Sequence, residues 1–254
     1  MNTLEQLTAE ALWLALPAVI LAGLVHGVFG IGFPMVATPL LALFTDVRTA
    51  VLITLLPTMA VNIATLARAG GLRVAIGRHW RVVPFVLLGA AGGSLLLLVL
   101  DPRPFLLVLA GAILLYLNQN RLKGLDLGWV RRRTGLAYAL FGLAAGLMAG
   151  MVNVMVPVLI ILALELGIPS LAMVQLFNLN FLSAKLVQTL LFLHFGQASP
   201  EGFANTLPLI PLVLAALFVG ILLRRHISEK RYRSALRGLL WIMAGVLVGR
   251  FLFL

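Results

Sequence analysis

GLVHGVFGIGFPMVATPLLAL, residues 23–43, is an apolar stretch studded with glycine and broken by proline, and it has a counterpart in GLAAGLMAGMVNVMVPVLIIL, residues 142–162. Gly30, Gly32 and Pro34 put three helix-breaking residues within five positions. Backbone freed from a helix at membrane depth survives only where it lines a cavity or is buried in protein. Broken apolar segments at matching places in two halves mark the substrate site of a transporter built from inverted repeats.

The rest of the chain supports a membrane setting. Apolar residues make up 62% of the 254 and charged residues 11%, with a mean hydropathy of +1.10. A soluble domain of this size cannot hide that much apolar surface. There is no cysteine, which excludes disulfides and thiolate chemistry. The net charge of +11 does not signal nucleic-acid binding, because the basic residues fall in short loops between apolar segments. The acidic N-terminus, with Glu5 and Glu10, does not read as a cleaved secretory signal.

Apolar segments fall at 13–31, 34–45, 49–67, 82–100 and 104–119, then at 135–151, 154–166, 170–194, 205–223 and 236–254. The fold expected is an all-α polytopic membrane protein of two inverted repeats, each opening with a broken or re-entrant helix. It has eight long helices, or ten segments counting the short ones. The repeats are 1–120 and 135–254, joined by a basic cytoplasmic linker at 121–134. Arg68, Arg73, Arg78 and Arg81 occupy one loop, Arg121, Lys123 and Arg131 to Arg133 the linker, and Arg224, Arg225, Lys230, Arg231, Arg233 and Arg237 a third. These loops face the cytoplasm by the positive-inside rule. Five segments per half then invert the second half and place both termini outside. Gly23 and Gly27 match Gly142 and Gly146 at an offset of 119, and Pro39, Asn62 and Thr65 match Pro157, Asn180 and Ser183 at 118.

The helix after the first break carries Thr54, Thr58, Asn62 and Thr65, at roughly 0°, 40°, 80° and 20° around its axis. This is one polar stripe on an apolar helix. Its counterpart carries Gln175, Asn178, Lys185, Gln188 and Thr189. Amides inside a bilayer are costly without a partner or water. They either tie helices together or line a polar chamber, and two stripes on matching helices favour the chamber. Lys185 lies about 13 Å from the nearer end of its segment, far for a lysine to snorkel, so it is a candidate for anion binding. The candidate substrate-binding residues are Gly30, Gly32, Thr58, Asn62, Thr65, Asn153, Gln175, Asn178, Lys185 and Gln188, with His26 for proton transfer or gating.

The two glycine-rich stretches, TDVRTAVLITLLPTMAVNI after the first, the basic loop that follows, and the recurrence from Gly142 to Gln188 resemble the sulfite exporter TauE/SafE family. The resemblance implies a polytopic permease of the bacterial inner membrane that moves small sulfur-containing or organic anions. On this reading the partners are a small anionic solute and the lipid bilayer, with a homodimer as compatible as a monomer. No cofactor, metal or catalytic residue is expected. The alternative reading, a membrane assembly or accessory protein, gives no reason for a duplicated broken segment.

Overall fold

The structure is a computed structural model that describes residues 9–118, 127–224, 226 and 229–253, giving the backbone alone at 9–12, 14, 229–233 and 235. Arg121, Lys123 and Arg225, with residues 121–126 of the expected 121–134 linker, lie outside the described residues. All described elements are helices: α1 (Ala9–Phe29), α2 (Phe33–Leu41), α3 (Val47–Arg68), α4 (Leu72–His79), α5 (Val83–Val99), α6 (Phe105–Leu117), α7 (Gly128–Arg132), α8 (Thr134–Val152), α9 (Val156–Glu165), α10 (Ser170–His194), α11 (Pro200–Thr206), α12 (Leu209–Leu223) and α13 (Glu229–Phe253). Each of the ten expected apolar segments is a helix, and α4, α7 and α11 are short additions between them. Five helical stretches are long and apolar enough to cross a membrane, and the bent pair α4–α5 makes up to six. The protein is a multi-pass membrane protein.

Both breaks form where the sequence puts them. Gly30 (φ 74°) and Gly32 (φ 103°) adopt left-handed backbone between α1 and α2, and Asn153 (φ 61°) does so between α8 and α9. Pro34 and Pro157 do not interrupt a helix. Each sits in the first turn of the helix after the break, where a missing N–H costs nothing. Asp46 starts α3 by accepting from the backbone N–H groups of Arg48 and Thr49.

The glycine contacts of the two halves match. A Cβ on Gly27 would lie 2.2 Å from the Leu217 carbonyl oxygen, and one on Gly146 would lie 2.2 Å from that of Val86. A Cβ on Gly220 would meet Leu24 O at 2.3 Å, and one on Gly89 would meet Leu143 O at 2.2 Å. Thus α1 packs on α12 as α8 packs on α5, with backbones touching because glycine leaves no side chain between them. The partners α3 and α10 run antiparallel: Thr189 approaches Met59, while Gln175 reaches the Ala69 carbonyl beyond the other end of α3. Equivalent helices that cross head to tail make the repeats inverted.

One part of the sequence alignment is corrected. Gly23 and Gly27 do correspond to Gly142 and Gly146, but from the break onward the offset is 123, not 118. Phe29 and Val152 end the first helices, Phe33 and Val156 begin the next, and Val47 and Ser170 begin the third. α8 carries one extra turn after Gly146, about four residues, which apolar sequence conceals. Asn62 therefore corresponds to Lys185, and Thr65 to Gln188.

Apolar packing cuts across the repeats. One cluster joins buried residues of α1, α2 and α3 mainly to those of α6, α12 and α13, and takes in Leu97 of α5, Val152 of α8 and Phe192 of α10. Another joins α8, α9 and α10 to α5. The seam between these bodies runs between α3 and α10.

Candidate functional site

The polar side chains of the interior lie along that seam. Thr54, Thr58, Asn62 and Thr65 of α3 are all at most 8% exposed, and so are Gln175, Asn178, Lys185 and Gln188 of α10. The α3 stripe spans the two breaks. At one end Asn153 Nδ2 donates to Thr54 Oγ1 (3.0 Å) and to Thr38 Oγ1 (2.9 Å). At the other, His26 Nε2 and Thr65 Oγ1 are 3.0 Å apart. Thr54 and Thr65 are separated by about 17 Å of helix. The breaks therefore sit at different depths on either side of the seam's middle, and do not meet at one level.

Each break is held by an amide of α10. Asn178 Nδ2 donates to the Gly30 carbonyl at 2.8 Å. Gln188 Nε2 donates to the Gly150 carbonyl, also at 2.8 Å. These bonds satisfy carbonyls that a helix end leaves without an N–H partner. His26 Nδ1 accepts from the Phe33 N–H, so in the neutral ring Nε2 carries the hydrogen and donates to Thr65. The Gly30 N–H is bonded to the His26 carbonyl and is not available to a solute. A solute at this break would have to meet the Ile31–Gly32 peptide groups or displace His26.

Lys185 does not snorkel. It is fully buried, and its Nζ donates to Gln188 Oε1 one turn on. The described acids Asp46, Asp101, Glu165 and Glu201 lie in loops or at helix ends, and none pairs with it among the described residues. Asn62 faces this level from α3. The contacts of Met59 with Thr189 and Ala69 with Gln175 bracket it and put it at about the level of Lys185 along the helix pair. Asn62 is fully buried and neither polar atom of its amide has a hydrogen-bond partner. Asn153 Oδ1 and Asn178 Oδ1 are likewise bare acceptors. Unpaired buried polar atoms are rare and mark a site that water or a ligand completes.

Gln175 stands apart from this group. Its Nε2 donates to the Ala69 carbonyl at 2.5 Å and its Oε1 accepts from Arg78 at 2.9 Å, so both ends are engaged. It lies about 15 Å along α10 from Lys185. Thr58 spends its hydroxyl on the Thr54 carbonyl of its own helix. Two residues escaped the sequence reading. Thr38 bonds Asn153, and its signal was a hydroxyl in the short helix after a break. Ser94 is fully buried with an unpartnered hydroxyl, and its backbone touches Gly150.

A family model for the sulfite exporter TauE/SafE family matches residues 15–247. The chain belongs to that family. It is accordingly a membrane permease of the kind that exports sulfite-like anions, and the family is one of transporters rather than enzymes. Comparison with curated proteins returned no match, and neither did comparison with solved structures. The match covers both breaks of this TauE/SafE chain and the whole α3–α10 seam.

Proposed function

We propose that this TauE/SafE chain is a secondary transporter that exports a small sulfur-oxo or organic anion, coupled to the proton gradient, with the solute bound between Asn62 of α3 and Lys185 of α10. One observation carries the reading: a fully buried lysine with no carboxylate partner among the described residues lies at the level of a fully buried amide without a hydrogen-bond partner. A buried ammonium is costly until a counter-ion joins it, and a transported anion would be that counter-ion. Asn62 Nδ2 would donate to it, and Gln188 would hand Lys185 over from its present bond. Asn178, Asn153 and the peptide groups at Gly32 would border its path, and His26 would relay or gate the proton.

The bodies that move would not be the sequence repeats 1–120 and 135–254. Glycine-tight contacts bind α1 to α12 and α5 to α8 across that boundary. Movement would open the polar seam instead, with α1–α3 and α12 shifting against α8–α10 and α5. The seam as described is closed over most of its length, since its polar side chains other than the half-buried Thr189 are at most 9% exposed. In a bacterial inner membrane the basic loops would face the cytoplasm and both termini the periplasm. The test is sulfite and small-sulfonate flux in proteoliposomes with Lys185→Met, which keeps the volume and removes the charge. Loss of flux with normal insertion is expected; unchanged flux removes Lys185 from the mechanism.

A further inference from the structure

A second basic feature lies away from the seam. A small cleft, partly open to solvent, runs between α4 and the face made by α8, α9 and α10. Arg78, His79 and Arg81 form one wall, Tyr138 stands on another, and Leu162 and Leu176 close the floor. His79 is 7% exposed, yet its Nε2 has no hydrogen-bond partner. Arg78 gives one N–H to Gln175 Oε1, which leaves the rest of the guanidinium fork free. Among the described residues no carboxylate lines the cleft.

The surroundings place this cleft at a membrane surface. α4 is bent 95° from α5, which takes it out of line with that span. It exposes Leu72, Val74, Ile76 and Trp80 beside its arginines. Apolar and aromatic side chains next to arginine describe a helix lying in the headgroup layer. The equivalent helix in the second half, α11, carries Glu201 and no basic residue, so the basic cleft belongs to one face only.

We infer that this cleft binds an oxyanion, the phosphate of an anionic lipid headgroup or a free inorganic anion, with Arg78 and Arg81 as its donors and His79 as its inner wall. Two guanidinium groups around a small space suit a compact tetrahedral or pyramidal anion, held by charge-assisted and bidentate bonds. Arg78 also holds Gln175, and Gln175 bonds the carbonyl just beyond α3. A bound anion would compete for the same guanidinium, so its occupancy reaches the end of the transport seam. The site itself does not depend on Lys185.

The experiment measures the melting temperature of purified protein at constant ionic strength, titrated with inorganic phosphate or with short-chain phosphatidylglycerol. Wild type and Lys185→Met should both be stabilised, and the double variant Arg78→Gln/Arg81→Gln should need about tenfold more ligand or fail to respond. A response to phosphatidylglycerol alone assigns the headgroup, and one to inorganic phosphate assigns the free anion; either supports the site. No stabilisation of either parent overturns it. So does a response the double variant leaves unchanged. His79→Phe, which fills the inner wall, gives a second reading: it should weaken the response several-fold, and an undiminished response also overturns the site. Lys185→Met separates this result from the transport reading, since it removes the central charge and leaves the cleft intact.

Discussion

Asn153, the left-handed residue that ends α8, donates its side-chain amide to Thr54 Oγ1 of α3 at 3.0 Å, tying the second break to the first repeat. The same amide reaches Thr38 in the arm after the first break. Two roles are combined here, a backbone one and a side-chain one. Asn153→Gly keeps the positive φ without strain and loses only the amide bonds. Asn153→Ala loses the bonds and adds a Cβ in a disfavoured region. We expect Asn153→Gly to lower stability by about 1 kcal/mol and Asn153→Ala by about 2 kcal/mol or more. Thermal unfolding in detergent measures both. Equal losses would mean that the left-handed backbone is not what the site demands.

Asn62 offers a sharper separation of structure from function. A residue kept for stability would have its amide bonded, and Asn62 has no bond to lose. Replacing an unsatisfied buried amide by an apolar group of similar shape is nearly neutral or stabilising. Asn62→Leu should therefore melt at the wild-type temperature or higher while anion flux in proteoliposomes falls at least about tenfold, the worth of one lost hydrogen bond to an anion. A destabilised variant with normal flux would reverse the assignment.

The breaks and the stripe on α3 were legible because they rest on local chemistry. Glycine and proline punctuate a helix wherever they stand, and four polar residues at helical spacing share a face in any fold. The pairing of Asn62 with Lys185 was not legible. It depends on one extra turn in α8, among residues whose apolar character is the same at every register. The bonding of Gln175 was hidden for a related reason. Its spacing from Asn178 and Lys185 places it on the right helix, but only the fold shows that Arg78 of α4 comes to meet it. The exchange of α5 and α12 between the repeats was also hidden. Gly89, Gly93 and Gly220 mark close helix contacts in sequence without naming the partner helix.

Those contacts make a symmetric prediction. Gly27→Ala and Gly146→Ala would each place a methyl 2.2 Å from a carbonyl oxygen of the facing helix. Backbone cannot yield as a flexible side chain does, so the helices must part. Each variant should cost about 1–3 kcal/mol, and by near equal amounts if the two interfaces are equivalent. Gly111→Ala in α6, where an added Cβ meets nothing within 4 Å, is the control and should leave the melting temperature unchanged or slightly raised. A large loss in one glycine variant and none in the other would mean that the inverted pair is not matched in energy.

His79 predicts a pH dependence whose sign is fixed by its surroundings. Burial first, and then the charge of Arg78, push the ring down from 6.5 to about 4, and its bond to the Ala172 backbone only partly opposes them. Arg81 adds to the positive side, Tyr138 of α8 is the other titratable group at the cleft, and α9 and α10 present Leu162 and Leu176. Between pH 6.5 and about 4 the unfolded chain binds a proton at this position that the folded chain refuses. Stability is therefore complete above pH 6.5 and falls as the pH drops through that window. His79→Gln cannot titrate, so its melting temperature should decline less between pH 7 and pH 4.5 than that of wild type. Parallel declines would show that the ring takes up its proton in the folded state as readily as in the unfolded one.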